Sequence, residues 1–188
     1  MAREIEIKFR VADLRALTGK LRAAGFRMVT GRTHETNTLY DLPGGVLRQR
    51  NELLRIREYG STWTLTHKSG TKRGKHSSRI ELETTVADGK KMDAILRALG
   101  YAQSFRYEKL RAEWVDKKKA NGHVVVDETP IGNFCEIEGP PRWIDATAKK
   151  LGVDRGDYIT KNYATLFAEW KKMRKSAAKE MTFKAAGN

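Results

Sequence analysis

The stretch EIEIKF at positions 4–9 alternates strictly, with Glu4, Glu6 and Lys8 on one parity and Ile5, Ile7 and Phe9 on the other. Period two predicts a β-strand whose three charges share a face. A step of three to four residues takes over in VADLRALTGKLRAAGF (11–26) and again in VADGKKMDAILRALGY (86–101), so both segments are predicted helices. Asp13 and Asp88 stand where an N-cap belongs, and Gly25 and Gly100 follow the last turn. The two segments align without a gap at an offset of 75. The register extends outward: Glu6 and Lys8 fall on Glu81 and Glu83 of RIELET, and Asp41 of TLYD falls on Asp116 of EWVD. Each half begins strand, helix, strand, and the chain reads as a duplicated unit.

Further strands follow from the same pattern. ELLRIREY (52–59) and STWTLTHK (61–68) form a hairpin signal around Gly60. SFRYEKLRAEWV (104–115) and GHVVVDE (122–128) flank the loop DKKKAN, and NFCEIEG (133–139) follows a turn broken by Pro130 and Gly132. SGTKRGKHSS (69–78) reads as a mobile basic loop. WIDATAKKLG reads as a short helix capped by Asp145. YITKNYATLFAEWKKMRK reads as a longer one with Tyr163, Leu166, Phe167 and Trp170 as its apolar stripe.

The charged parity of residues 4–9 recurs. Arg55 and Arg57 oppose Leu54 and Ile56; Thr64, Thr66 and Lys68 oppose Trp63, Leu65 and His67. Arg79, Glu81 and Glu83 oppose Ile80 and Leu82, while Lys109, Arg111 and Glu113 oppose Leu110 and Ala112. Glu136 and Glu138 oppose Cys135 and Ile137, and VVVDE stays apolar up to Asp127. Like charges at i and i+2 lie about 6.5–7 Å apart on a strand. That is a repulsion of roughly 2 kcal/mol at an effective dielectric near 20. A merely solvated face would alternate its signs; paired arginines and paired glutamates make sense when something bound neutralises them. Closing the sheet turns the ionic faces inward, leaves no edge, and gives helices the apolar outside to cover. The expected fold is α+β, an eight-stranded antiparallel β-barrel with a charged interior and helices packed outside. Its bases suit an anion of several charges. Its carboxylates, without histidine or cysteine partners, suit Mg²⁺ or Mn²⁺.

Composition narrows the classes. A chain of 188 residues with 39% hydrophobic content supports one well-packed domain. Lysine and arginine number 37 against 23 acids, and the resulting +14 favours polyanionic partners. Part of the excess lies in KKMRKSAAKEMTFK from Lys171, which reads as a solvated, fraying helix end. Cys135, the lone cysteine, excludes an internal disulfide and reads as a small core residue. His34, His67, His76 and His123 have no metal-ligand spacing. An early charged N-terminus and no long apolar run point away from a signal peptide or membrane span and toward a cytoplasmic protein.

EIEIK resembles the N-terminal E-x-E-x-K motif of the CYTH superfamily, the triphosphate tunnel metalloenzymes. Its companions follow in order: YDLPGG, LRIR, Lys68, RIELE, EKLR, DETPIGNFCEIEG and KNYATL. The resemblance covers roughly 2–168. It implies a tunnel domain over 1–170 with a basic tail at 171–188, a bound small-molecule triphosphate and a required Mg²⁺ or Mn²⁺. Carried over by position, it makes Glu4, Glu6, Glu136 and Glu138 metal-site carboxylates, with Asp127, Glu81 and Glu83 nearby. It makes Lys8, Arg55, Arg57, Lys68, Arg79, Lys109 and Arg111 phosphate ligands, with Lys161 at the tunnel mouth. Glu4, Glu6, Lys8, Glu136 and Glu138 would form the catalytic set.

Three activities compete. Metal-dependent hydrolysis of tripolyphosphate or an organic triphosphate leads. A class IV adenylate cyclase would use the same charges to make cyclic AMP and pyrophosphate from ATP. A non-catalytic polyphosphate- or RNA-binding module would use the positive charge but leaves the inward carboxylates unexplained, and no ribonucleoprotein aromatic pattern or G-x-x-G clamp is present. A monomer or homodimer without membrane association is expected.

Overall fold

The computed structural model describes residues 2–117 and 121–187. Its strands are β1 (Ala2–Val11), β2 (Phe26–Asp41), β3 (Leu53–Tyr59), β4 (Thr62–Arg73), β5 (Ser77–Val86), β6 (Ala102–Asp116), β7 (His123–Thr129) and β8 (Gly132–Glu138). They close into one antiparallel barrel in the order β1-β5-β4-β3-β2-β6-β7-β8, with β8 returning to β1. The helices are α1 (Leu14–Ala23), α2 (Val46–Gln49), α3 (Gly89–Ala98), α4 (Pro141–Leu151), α5 (Tyr163–Arg174) and α6 (Phe183–Ala186).

The duplication is visible in the element bounds. β5 begins 75 residues after β1, and α3 begins 75 residues after α1. Asp13 and Asp88 both cap as expected, accepting backbone N–H bonds from Arg15 and Ala16 and from Lys91. Equivalent strands of the two halves meet at β1 against β5 and at β2 against β6, and the halves also join at β4 against β5 and β1 against β8.

Apolar parity faces outward and is covered. Ile7, Phe9, Cys135 and Ile137 of β1 and β8 pack with Leu17 and Leu21 of α1 and Ile144, Ala148 and Leu151 of α4. Tyr40 and Ile56 pack with Leu96 of α3. A third cluster is different, because Phe134 and Tyr107 lie on the inner parity with Glu136 and Lys109. With Tyr163, Leu166 and Phe167 of α5 they close one end of the barrel.

Four expectations change. Residues 69–78 are not a mobile loop: they complete β4 and begin β5, with Lys72 opposite Ser78 beyond a bulge. α4 is not capped by Asp145. Pro140 precedes it, Pro141 supplies the fixed φ of a first helical turn, and Asp145 lies inside the helix near His76 and Lys75. β2 is far longer than TLYD, because its first half pairs with β6 while alternating little in hydropathy. The basic segment after Lys171 does not fray beyond the helix. After α5 the chain turns back, Met181 exchanges backbone hydrogen bonds with Arg106 and Glu108 of β6, and its side chain is fully buried. Half of the DKKKAN loop, residues 118–120, lies outside the described residues.

Candidate functional site

Register decides which charges meet. Glu4 lies opposite Arg79 across β1 and β5; Glu6 lies opposite Glu138 and Lys8 opposite Glu136 across β1 and β8. Arg55 and Arg57 face Thr66 and Thr64, and on the next strand pair Thr66 faces Glu83 and Lys68 faces Glu81. Glu35 faces Lys109, and Arg111 faces Asp127. Alternation sends all of these into the barrel, where they surround a cavity of about 600 Å³. Eight bases (Arg3, Lys8, Arg55, Arg57, Lys68, Arg79, Lys109 and Arg111) and seven glutamates (4, 6, 81, 83, 113, 136 and 138) line it. The cavity wall is therefore close to neutral in a strongly basic protein.

The charges divide into three groups. On the wall of β2, β6, β7 and β8, Arg111 grips Asp127 with two bonds of 2.7 Å and also reaches Glu136. Lys109 lies 3.1 Å from Asp127 and 3.3 Å from Glu35, and Lys8 lies 2.5 Å from Glu136. Asp127 and Glu35 are wholly buried behind the cavity wall, so the bases they hold are presented to the cavity from below. Burial alone would raise the Glu35 carboxyl, but Lys109 and Arg111, with Arg55 and Arg57, outweigh it and hold the pKa at about 2. Burial opposes charge on Lys8 too; Glu136 and then Glu6 override it, and the amine is shifted upward. Burial likewise works against Glu136, yet Lys8 and Arg111 hold its carboxyl well below the usual range.

A second group on β3, β4 and β5 gathers Arg57 and Arg55 at 3.1 and 3.6 Å from Glu83, which also accepts from Thr66 at 2.7 Å. The third group is acidic. Lys68 contacts Glu4 at 2.7 Å and Glu81 at 3.2 Å, and Arg79 contacts Glu6 at 2.9 Å. Glu138 has no lysine or arginine within ion-pair distance among the described residues; His123 Nε2 lies 3.3 Å away. Burial, then Glu4 and Glu6, push its carboxyl up to about 8. Like charges directly across a strand pair are destabilising, and the raised Glu138 carboxyl relieves that conflict with Glu6, which is itself paired with Arg79.

The donor set here is all oxygen, which suits a hard divalent cation. Among the described residues no three acidic, histidine or cysteine side chains converge as a ligand set. Lys68 and Arg79 hold the carboxylates instead. On the anion side, the Nε donors of Arg55 and Arg79 are buried without a hydrogen-bond partner. Such donors are costly unless something accepts from them.

Most sequence candidates converge on this cavity, and two do not. Lys161 is half exposed and paired with Glu169 at 2.6 Å, away from the cavity lining. Asp127 is a buried counter-ion that also accepts the Tyr163 hydroxyl at 2.8 Å, which leaves it no open side for a metal. Glu113, on the charged parity with Lys109 and Arg111, also lines the cavity, and Glu35, Asn37, Tyr107 and Tyr163 join the site unannounced. Glu35 and Asn37 alternate in HETNT, a signal that was available; Tyr163 read as core because its ring is also apolar.

Leu53, Lys68, Arg79 and Asn162 also border a second chamber of about 660 Å³. Leu39, Leu54 and Phe105 of the barrel and Ala164 and Ala168 of α5 line it.

A family model for the CYTH domain matches residues 2–163. A Methanocaldococcus jannaschii protein with a provisional adenylate cyclase name is 29% identical over 174 residues, covering 87% of this chain and 97% of its own. A Vibrio parahaemolyticus structure, also provisionally named an adenylate cyclase, superposes with a TM-score of 0.77 at 18% identity, covering 88% of this chain and 97% of its own. A Hippeastrum structure superposes with a TM-score of 0.62 at 21% identity, covering 88% and 95%; its description as a provisional adenylyl cyclase reports a dominant triphosphatase activity. No helix among the described residues is long and apolar enough to cross a membrane.

Proposed function

This chain belongs to the CYTH family, and from that premise we propose that its tunnel hydrolyses a triphosphate compound. The observation that carries the reading is the buried Arg55 Nε donor without a hydrogen-bond partner, set in a wall of convergent bases that includes Arg79, whose Nε lies 3.6 Å from Glu4. Lys8, Lys109, Arg111, Arg55 and Arg57 bind and orient phosphate oxygens. The arginines do so with paired donors, the lysines as point charges. Phosphoryl transfer depends mainly on such placement and charge. Water adds to the terminal phosphorus, the bridging P–O bond breaks, and diphosphate or its organic ester leaves with the bond's electron pair. Glu4, Glu6, Glu81 and Glu138 are the residues that would hold Mg²⁺ or Mn²⁺, which when bound would supply positive charge to offset the phosphate's.

The adjoining chamber favours an organic triphosphate, since its apolar lining fits a group esterified to the phosphate chain. The same chamber keeps the adenylate cyclase reading open, with the ribose hydroxyl replacing water at the α-phosphorus. Both are tested by incubating the protein with Mg²⁺ or Mn²⁺ and tripolyphosphate, thiamine triphosphate or ATP, then quantifying orthophosphate, pyrophosphate and cyclic AMP. Metal-dependent orthophosphate release without cyclic AMP is the expected result. Cyclic AMP with matching pyrophosphate would replace hydrolysis by cyclisation. No product from any substrate would overturn both.

A further inference from the structure

Tyr163 is the first residue of α5, and its ring forms part of the tunnel floor. Lys8 Nζ from β1 stands over that ring 4.4 Å from its centroid, and Lys109 Nζ from β6 stands 5.2 Å away. The ring is held by Phe134, edge-on at 5.5 Å, and by Tyr107 at 5.8 Å. Its hydroxyl donates to Asp127, the carboxylate that also takes Lys109 and Arg111. Asn162 caps the helix by accepting from Thr165 N–H, which fixes where the ring enters the barrel.

β1 and β6 are not neighbours; β8 and β7 lie between them. No single backbone ladder pairs Lys8 with Lys109, and their carboxylate link is indirect, running from Glu136 through Arg111 to Asp127. The Tyr163 ring faces both ammonium groups directly. An aromatic face attracts both cations through its quadrupole and takes none of their directed hydrogen bonds. Lys8 has a close carboxylate in Glu136, and an ammonium has three donors, so N–H groups remain for a ligand.

We propose that Tyr163 is a positioning residue, whose ring sets the spacing of Lys8 and Lys109 so that both engage one polyphosphate chain. The inference rests on the phosphate reading of the tunnel. It assigns a ligand-binding consequence to a helix that the family match reaches only at its first residue.

The test is calorimetric titration of tripolyphosphate into the full-length protein without divalent cations, so that no turnover is needed. Tyr163→Phe keeps the ring and is expected to bind within about threefold of the parent. Tyr163→Leu and the unbranched, more adaptable Tyr163→Met remove it and are expected to weaken binding about tenfold or more, on the strength of two desolvated cation–π contacts. Thermal unfolding establishes that each variant is folded, and the methionine variant carries the test where leucine does not fold. Adding Lys8→Ala should cost less in the Tyr163→Met background than in the parent, a coupling that core packing alone would not produce. Equal affinities for tyrosine, leucine and methionine would overturn the inference while leaving the phosphate reading intact. A phenylalanine variant as weak as methionine would overturn it in favour of the hydroxyl. Absence of binding to the parent would overturn the phosphate reading and this inference with it.

Discussion

Glu35→Gln is the sharpest test of the buried charge network, because the substitution keeps shape and removes only the charge. Glu35 is wholly buried, 3.3 Å from Lys109 and 3.7 Å from Arg111, and accepts from the Asn37 amide at 2.8 Å. Its carboxyl is held at about 2 against an ordinary 4.5. A depressed acid pKa contributes stability that is present above the unfolded value and lost as pH falls through the folded one. A drop of this size corresponds to about 3 kcal/mol at pH 7. Linkage predicts that about half of that remains at pH 3. Urea unfolding of both proteins between pH 7 and pH 3 reads the difference directly. The variant should be less stable by about 3 kcal/mol at neutral pH, and the gap should narrow steadily below pH 5. A gap that stayed under about 1 kcal/mol, or did not change with pH, would refute the claim that Glu35 is a charged counter-ion.

Glu138 should behave with the opposite sign. Its carboxyl is raised to about 8, so its contribution is full below pH 4.5 and lost as pH rises through 8. In chelator, parent stability should fall over that window, and Glu138→Gln should flatten the profile in the same unfolding assay. Gly89→Ala should lower the unfolding free energy by about 1–3 kcal/mol, because its Cβ would lie 1.9 Å from Trp63 Cε3. The clash outweighs the gain of about 1 kcal/mol in helix propensity, and a calorimetric melting temperature at or above the parent's would contradict it. Lys161→Ala should leave KM for a triphosphate within about twofold, since its surface pair with Glu169 contributes at most about 1 kcal/mol; a tenfold rise would return Lys161 to the binding site.

Strand parity was legible because a barrel with a charged lumen enforces period two on both faces, so EIEIKF, LRIR and RIELE each disclose one wall. The repeat was legible because caps and C-terminal glycines are local devices. Long-range pairing was not. The first half of β2 shows little alternation and is a strand because β6 lies beside it, and residues 69–78 look like a loop because glycine and lysine carry no strand signal on their own. Met181 gives no local hint that its backbone joins β6. Among site residues, the candidates that failed were judged by type alone. Asp127 shares the inner parity but is enclosed by Arg111, Lys109 and Tyr163, and Lys161 has the right charge on the wrong side of α5. Geometry of that kind depends on what packs above a side chain, which alternation does not encode.

The duplication imposes a constraint that the charges resolve. Glu4 and Arg79 occupy equivalent positions in the two halves, at the offset of 75 that separates β1 from β5, and they face each other across that strand pair. Two identical halves would place the same residue opposite itself there. With glutamate on both sides, or arginine on both, like charges would stand directly across the ladder, a destabilising arrangement. The observed opposite charges remove that conflict. Across β2 and β6 the register differs by one residue, so equivalent positions do not face each other, but opposite charges again do, with Glu35 facing Lys109. Elsewhere the halves have diverged toward different tasks: Lys8 answers to Glu83 at the same offset, and each is ion-paired within its own wall. The consequence is a near-symmetric barrel with an asymmetric lumen. Bases backed by the buried counter-ions Asp127 and Glu35 lie on β6, and the least compensated carboxylate, Glu138, lies at the far end of β8, two residues beyond Glu136.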